Sequence, residues 1–525
     1  MSPVVEVVGV GAATAKGDPP WWQSAVVYQV YPRSFADRSG DGIGDLAGFL
    51  DRLPYVAALG VDAIWLSPVF RSPMADFGYD VSDYCDVDPL FGTLADLDRL
   101  VGGAHRHGLR LLLDWVPNHT SDRHPWFLES RSSRRAAKRD WYVWRDPKAD
   151  GSPPNNWTAA FRPGHPAWTL DPSTGQFYLH SFLPEQPDLD WSNPEVRAAM
   201  HDVLHFWLER GVDGFRVDVA HCLGKDPALP DDPEHLVVVP HCALNHHPST
   251  APILAGLRRL VDGYAHAPML VGEVFLVAPH EMSDYSGPGA FHLAFDLPGS
   301  LHTPWDADAW RSRTAATAER LGRDAWPTLV LSNHDTPRHR TRFGSEARAR
   351  AAAVLLLGLP GTPFLYAGEE LGLEDAAIPP ERRLDPGGRD GCRAPLPWND
   401  APGHGWDAEP WLPFPPEAGR RSVARQEADP GSMLLFYRRL LAARRASPAL
   451  RAGDWRDLDA APGVFAWERR HGGDRRVCAV NFASAPRTIA LVGDWRVEAG
   501  THRTQAGAAF DGRLAADEAV VLRPD

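Results

Sequence analysis

Gly214-Phe215-Arg216-Val217-Asp218 and Leu270-Val271-Gly272-Glu273 decide how this chain folds. Each is a short apolar run that stops on a carboxylate. They read as the strands Gly214–Val219 and Met269–Val274, and six further runs of the same kind flank them. Val26–Tyr31, Ala63–Pro68 and Leu109–Val116 come before, and Phe291–Phe295, Thr328–Asn333 and Thr362–Ala367 after. Their hydrophobicity is continuous rather than alternating, as strands buried on both faces require. Helical patterns lie between them, among them Asp45–Leu59, Leu94–His107, Pro194–Arg210 and Glu346–Leu357. Alternating strands and helices close most economically into a parallel barrel, whose functional groups gather at one rim. The expected fold is α/β, a TIM (β/α)8 barrel.

Two connections are too long for simple crossovers. Residues 118–191, rich in Pro, Trp, Gly and Ser, read as a domain inserted after the third strand. Residues 373–429 read as a long rim loop after the eighth, and loops of that length usually carry function. The barrel proper would occupy 21–117 and 192–445, followed by a C-terminal antiparallel β domain over 446–525. An Ala/Gly-rich segment, 1–20, reads as a flexible leader with no signal-peptide character.

Hydrophobic residues make up 44% of the 525 and charged residues 23%, the balance of a soluble enzyme. The net charge of -14 argues against nucleic acid or an anionic membrane as partner. Five scattered cysteines, Cys85, Cys222, Cys242, Cys392 and Cys478, show neither pairing nor metal spacing and point to unpaired thiols in the cytoplasm. No run reaches the length of a membrane span. The expected state is a monomer or homodimer.

On a strand, positions i and i+2 share a face, so Arg216 points with Asp218 and would keep it ionised. The same two residues would also serve as an ion pair holding the barrel shut. Glu273 ends an apolar strand, where desolvation keeps a proton on a carboxyl as a general acid requires. Together the two make the carboxyl pair that breaks glycosidic bonds. Asn333-His334-Asp335 ends the seventh strand and Asp114-Trp115-Val116-Pro117-Asn118-His119 the third, each adding a histidine that is either structural or a hydroxyl-binding donor. No His-x-His or His-Glu-x-x-His spacing supports zinc. The loop Asp37-Arg38-Ser39-Gly40-Asp41-Gly42-Ile43-Gly44-Asp45 sets oxygen side chains at alternate positions around glycines. It fits either a hard cation or an Asp/Gly turn capping the next helix, and Gly48 stands where an EF-hand has its bidentate Glu.

Asp114–His119, Gly214–Asp218, Gly272–Val274 and Asn333–Asp335 resemble the four signature regions of the α-amylase family, glycoside hydrolase family 13. The likeness continues at Gln186–Trp191, Val61–Pro68 and Gly361–Gly372. Trp21-Trp22, Val27–Phe35 and Arg389–Trp398 look like the α-glucosidase and oligo-1,6-glucosidase branch. The resemblance implies Asp218 as nucleophile, Glu273 as acid/base and Asp335 as the holder of the 2- and 3-hydroxyls. It implies sugar-binding roles for Arg216, His119 and His334, with Tyr79 stacked under the ring. Asp76 and Arg393 would clamp the terminal 4-hydroxyl, closing the pocket behind one glucose. Small α-glucosides are then the substrates, cleaved from one end with retention and with transfer to sugar acceptors as a side reaction. The resemblance also implies a structural calcium or magnesium held by Asp37, Ser39, Asp41, Ile43 and Asp45, although Ser39 replaces the commoner Asn or Asp.

Linkage preference stays open, because Val219 matches enzymes with α-1,6 preference while Ala220-His221 looks like the maltose-accepting ones. A dedicated transglucosylase or isomerase, trehalose- or sucrose-related, uses the same scaffold and is the main rival. Arg383-Leu384-Asp385-Pro386 imitates a sucrose-isomerase segment only in part. A catalytically dead binding module would lack the carboxylates and carry a membrane span, and this chain does neither.

Overall fold

A computed structural model of the chain describes residues 19–525 apart from 162–163, 278, 323 and 503–505. The expected leader falls almost wholly outside the described residues. Eight strands form one parallel sheet: β1 Val27–Val30, β2 Ala63–Leu66, β3 Arg110–Trp115, β4 Gly214–Val217, β5 Met269–Val274, β6 Leu293–Asp296, β7 Thr328–Val330 and β8 Thr362–Tyr366. Their order is β6-β5-β4-β3-β2-β1-β8-β7, and Thr328 Oγ1 donates to the Ala294 carbonyl at 2.9 Å where β7 meets β6. The ends therefore approach and the sheet curls into the expected TIM barrel. Every residue of β1, β2, β4, β7 and β8 is buried, so the continuous apolar runs reflect cover on both faces.

The helices between strands begin where the sequence supplies a cap. Asp45 accepts from the Gly48 N–H at 2.7 Å and starts α1, Leu46–Leu59. Thr93 and Asp96 form a reciprocal capping box at the head of α2, Leu94–Arg106. Gly214 opens β4 at φ +144°, and a Cβ there would lie 2.0 Å from the Met269 carbonyl oxygen. Only glycine lets β4 and β5 approach so closely, which brings their two carboxylate-bearing ends together.

One strand boundary departs from expectation. The run Gly214–Val219 stops being a strand at Val217, and Val219 adopts the left-handed region at φ 35°, ψ 48°. A β-branched side chain there is strained, and strain of this kind collects at functional sites.

Between β3 and β4 the chain makes a small antiparallel sheet of Trp144–Arg145, Gln176–Leu179 and Trp168–Asp171. After β8, residues 373–429 run mostly as loop, with short turns such as Asp390–Arg393 and one short helix, Val423–Glu427. The chain ends in a five-stranded antiparallel sheet built around Val464–His471 and Asp474–Asn481. That sheet docks on the barrel through Trp467 Nε1 and Arg469 Nη1, which both donate to the Gly358 carbonyl. Among the described residues no helix is long and apolar enough to cross a membrane.

Candidate active site

At the C-terminal rim of the barrel, the ends of β3, β4 and β5 meet on one guanidinium. Arg216 is 2% exposed, and its Nη1 lies 2.8 Å from Asp114 Oδ1 and 2.6 Å from Asp218 Oδ1. Its Nη2 lies 2.7 Å from Glu273 Oε2. The left-handed turn at Val219 aims that residue's N–H at the same Glu273 oxygen, 3.1 Å away. Asp218 and Glu273 are thus held side by side on the two ends of one guanidinium.

Arg216 is expected to keep Asp218 ionised, and it does pull in that direction, but burial outweighs it and pushes the Asp218 carboxyl well above the usual range, with Glu273 and Asp114 adding to the rise. Asp114, which sequence reasoning treated only as part of a motif, is likewise raised by burial to about 6.

His334 is sandwiched beside this cluster. The Gln29 amide donates to its Nδ1 at 2.8 Å, which leaves the ring proton on Nε2, 3.3 Å from Asp335 Oδ2 and 2.5 Å from the Tyr79 hydroxyl. Burial lowers His334 to about 3 and His119 to about 4, so both rings are neutral donor–acceptors. Tyr79 stacks against His334 at 5.5 Å between ring centroids and donates to Asp114 Oδ2 at 3.0 Å. His119 Nε2 sits 3.1 Å from the Tyr79 carbonyl oxygen and 3.1 Å from the Gln186 amide nitrogen. Gln186 also donates to Asp76 at 3.2 Å.

The wall behind this group differs from the expected Asp76–Arg393 clamp. Arg393 is fully buried behind the cavity, where it holds Asp335 and Asp385, each at 3.0 Å. Arg389 reaches forward from the rim loop instead, with Nη2 at 2.6 Å from Asp76 Oδ1 and Nη1 at 2.9 Å from Asp335 Oδ1. The two arginines stand one helical turn apart, and spacing cannot tell which of them faces the cavity. Burial works to raise Asp335, but His334 and the guanidiniums of Arg389, Arg393 and Arg216 outweigh it and hold the carboxyl well below the usual range. A cavity of about 430 Å³ opens in front of this network, lined at its floor by Asp76, Tyr79, His119, Asp218, Glu273 and Asp335, with Asp114, Arg216, His334 and Arg393 behind them. Gln186 and Arg389 line it too, and neither was singled out from the sequence for a role in the site.

The expected cation loop lies apart from this cavity. Asp37 accepts from Gly40 N at 2.7 Å and Gly42 N at 2.8 Å, and Asp41 from Ile43 N at 2.9 Å. Asp45 spends both oxygens on the N–H groups of Arg38, Ser39 and Gly48. Among the described residues no group of three or more acidic, His or Cys side chains is arranged to hold a metal ion. As a cation site the donor set fits only in part: Asp45 is committed to the cap, leaving Asp37, Ser39, Asp41 and the Ile43 carbonyl.

A parallel barrel with two carboxyls paired on one arginine at its C-terminal rim defines the class, an enzyme of glycosidic bonds. The α-amylase catalytic-domain family matches residues 29–453. A probable α-glucosidase of Rhizobium meliloti (strain 1021) is 44% identical over 513 residues, covering 90% of this chain and 91% of the relative. An oligo-1,6-glucosidase of Parageobacillus thermoglucosidasius is 36% identical over 513 residues, covering 88% and 90%. The solved structure of the α-glucosyl transfer enzyme XgtA superposes with a TM-score of 0.90 at 40% identity, covering 97% of this chain and all of that one. The chain belongs to the α-amylase family, glycoside hydrolase family 13.

Proposed function

We propose that this protein is a retaining, exo-acting α-glucosidase that releases glucose from the non-reducing end of short α-glucosides of the maltose and isomaltose type. The observation that carries the reading is the pair Asp218–Glu273 gripped by the one guanidinium of Arg216, beside a cavity walled behind by Asp76, Arg389 and Asp335. A retaining enzyme needs its two carboxyls close together, roughly 5–5.5 Å apart, and a shared guanidinium keeps this pair close. Asp218 attacks C1 while Glu273 gives a proton to the leaving oxygen. A β-glucosyl ester forms on Asp218, Glu273 then takes a proton from water, and the water oxygen displaces Asp218. Two inversions restore the α configuration. Asp335 accepts from the ring hydroxyls, the neutral rings of His119 and His334 supply hydrogen bonds, and Tyr79 packs under the sugar. The Asp76–Arg389 ion pair blocks the chain beyond one glucose, which favours end-on over midchain cleavage.

NMR of an aryl α-glucoside during hydrolysis tests this directly: the first glucose to appear should be the α anomer. Initial β-glucose, or an Asp218→Asn variant turning over at near wild-type rate, sinks the assignment.

Transfer of the glucosyl unit to an acceptor other than water is part of the proposal, supported by the likeness to a solved α-glucosyl transfer enzyme. The five unpaired cysteines support a cytoplasmic location, and a monomer or homodimer is proposed. A calcium or magnesium ion on Asp37, Ser39, Asp41 and Ile43 would be structural and take no part in the chemistry.

A further inference from the structure

The cavity has two unlike halves. Its floor is carboxylate, imidazole and guanidinium, while the part nearer solvent is apolar. Val219 and Cys242 pack with Ala160 and Phe182 as one hydrophobic cluster, and Phe161 continues it at 5.7 Å from the Phe182 ring. The segment after β5 adds Phe275 and Val277, with Val277 N–H bonded to the Ala243 carbonyl. Among the described lining residues of this half, His221 alone has a strongly hydrogen-bonding side chain, and it is 1% exposed with Nδ1 engaged by the Phe275 N–H.

Phe275 is 44% exposed and Val277 52%, two of only seven large apolar side chains among the described residues that face solvent so openly. A third, Val238 at 67%, precedes Val239 of the lining. Exposed apolar surface gathered around a reactive cavity marks the place where a ligand is meant to lie. A second sugar placed there would bring several hydroxyls against a wall whose one strongly hydrogen-bonding side chain is His221, with Nε2 alone unpartnered, and unpaired buried polar groups are strongly rejected.

We propose that the leaving-group and acceptor side of this pocket takes an alcohol with an apolar body, aryl or alkyl, in preference to a second sugar. The proposal rests on the α-glucosidase reading above. In the transfer step the alcohol gives its proton to Glu273, its oxygen bonds to C1, and the C1–O bond to Asp218 breaks, leaving Asp218 as carboxylate and an α-glucoside as product. The apolar wall acts only by seating the alcohol's body, so its selectivity follows buried hydrocarbon.

α-Glucosyl fluoride is the donor for the test, because fluoride leaves without occupying the apolar half. Fluoride release reports formation of the glucosyl-enzyme, and chromatography reports how it divides between water and an added acceptor. With n-alkanols from ethanol to hexanol, each methylene should raise transfer over hydrolysis about three- to fourfold, the Boltzmann factor of ~0.8 kcal/mol for a buried CH₂. Benzyl alcohol should exceed glucose at equal concentration by about tenfold or more, two to three such increments. In a Phe275→Asn/Val277→Asn double variant the methylene increment should fall toward one. It is read as a ratio within each enzyme, so a loss of overall rate cancels, and if the variant does not fold the wild-type series decides. Fluoride release with glucose matching or beating benzyl alcohol overturns the apolar acceptor site and leaves the glucosidase reading standing. Absence of fluoride release overturns the glucosidase reading and this inference with it.

Discussion

Arg216 and Arg389 carry most of the electrostatic organisation of the pocket, and the chain announced them unequally. Arg216 sits two residues before Asp218 on one strand face, so its contact with that carboxylate follows from strand geometry. Its hold on Asp114 and Glu273 depends on three strand ends meeting, and no sequence interval encodes that. Arg389 comes from an irregular loop and faces Asp76 across 313 residues of chain. Replacing it by alanine takes their shared partner from the buried Asp76 and the half-buried Asp335. A loss of ~2–5 kcal/mol is expected, so kcat/KM on maltose should fall at least about thirtyfold. Arg389→Lys should fall between the two, since an ammonium lacks the forked donors that span Asp76 and Asp335. Steady-state kinetics on both variants decide the point, and an Arg389→Ala enzyme within threefold of wild type removes this residue from the wall.

At the scale of elements, the apolar runs gave all eight barrel strands in order because a strand buried on both faces must be apolar throughout. The end of β4 escaped, since nothing in Val219 marks a left-handed residue; the hydrogen bond to Glu273 imposes it. The loop over 37–45 is the other element whose reading stayed divided, because the same Asp and Gly residues suit a cap and a cation. If a cation binds there, calcium at about a hundred times its Kd adds ~2.7 kcal/mol after prior EDTA treatment. Calorimetry should then show a melting temperature raised by several degrees. No shift with either calcium or magnesium reduces the loop to a helix cap held by its own N–H groups.

At the scale of the whole molecule, six histidines among the described residues are held neutral by burial. Burial lowers His119 and His221 to about 4, and His124, His292, His334 and His339 to about 3. Unfolded histidine titrates near 6.5, so below that pH the unfolded chain binds more protons and stability is lost as pH falls. Glu369, raised by burial to about 8, and Asp218, raised well above the usual range, act with the opposite sign over the same window, and Asp80 and Asp114 join them only near 6. Between pH 6.5 and 6 the histidines win. Stability should drop there by on the order of 1–2 kcal/mol, visible as a fall in calorimetric melting temperature. A flat or rising profile across that half unit means these rings are protonated in the fold.

The sequence by itself determined the barrel, the order of its strands and the carboxylates at their ends. Those features are written in local patterns: continuous hydrophobicity, helix caps and strand termini, each spanning a few neighbouring residues. Tertiary structure alone decided that Arg389 and not Arg393 faces the cavity, that Asp218 and Glu273 share one guanidinium, and that the cavity's outer half is apolar. Each of these depends on side chains from distant segments meeting in three dimensions, and a linear pattern holds no record of which of them will touch.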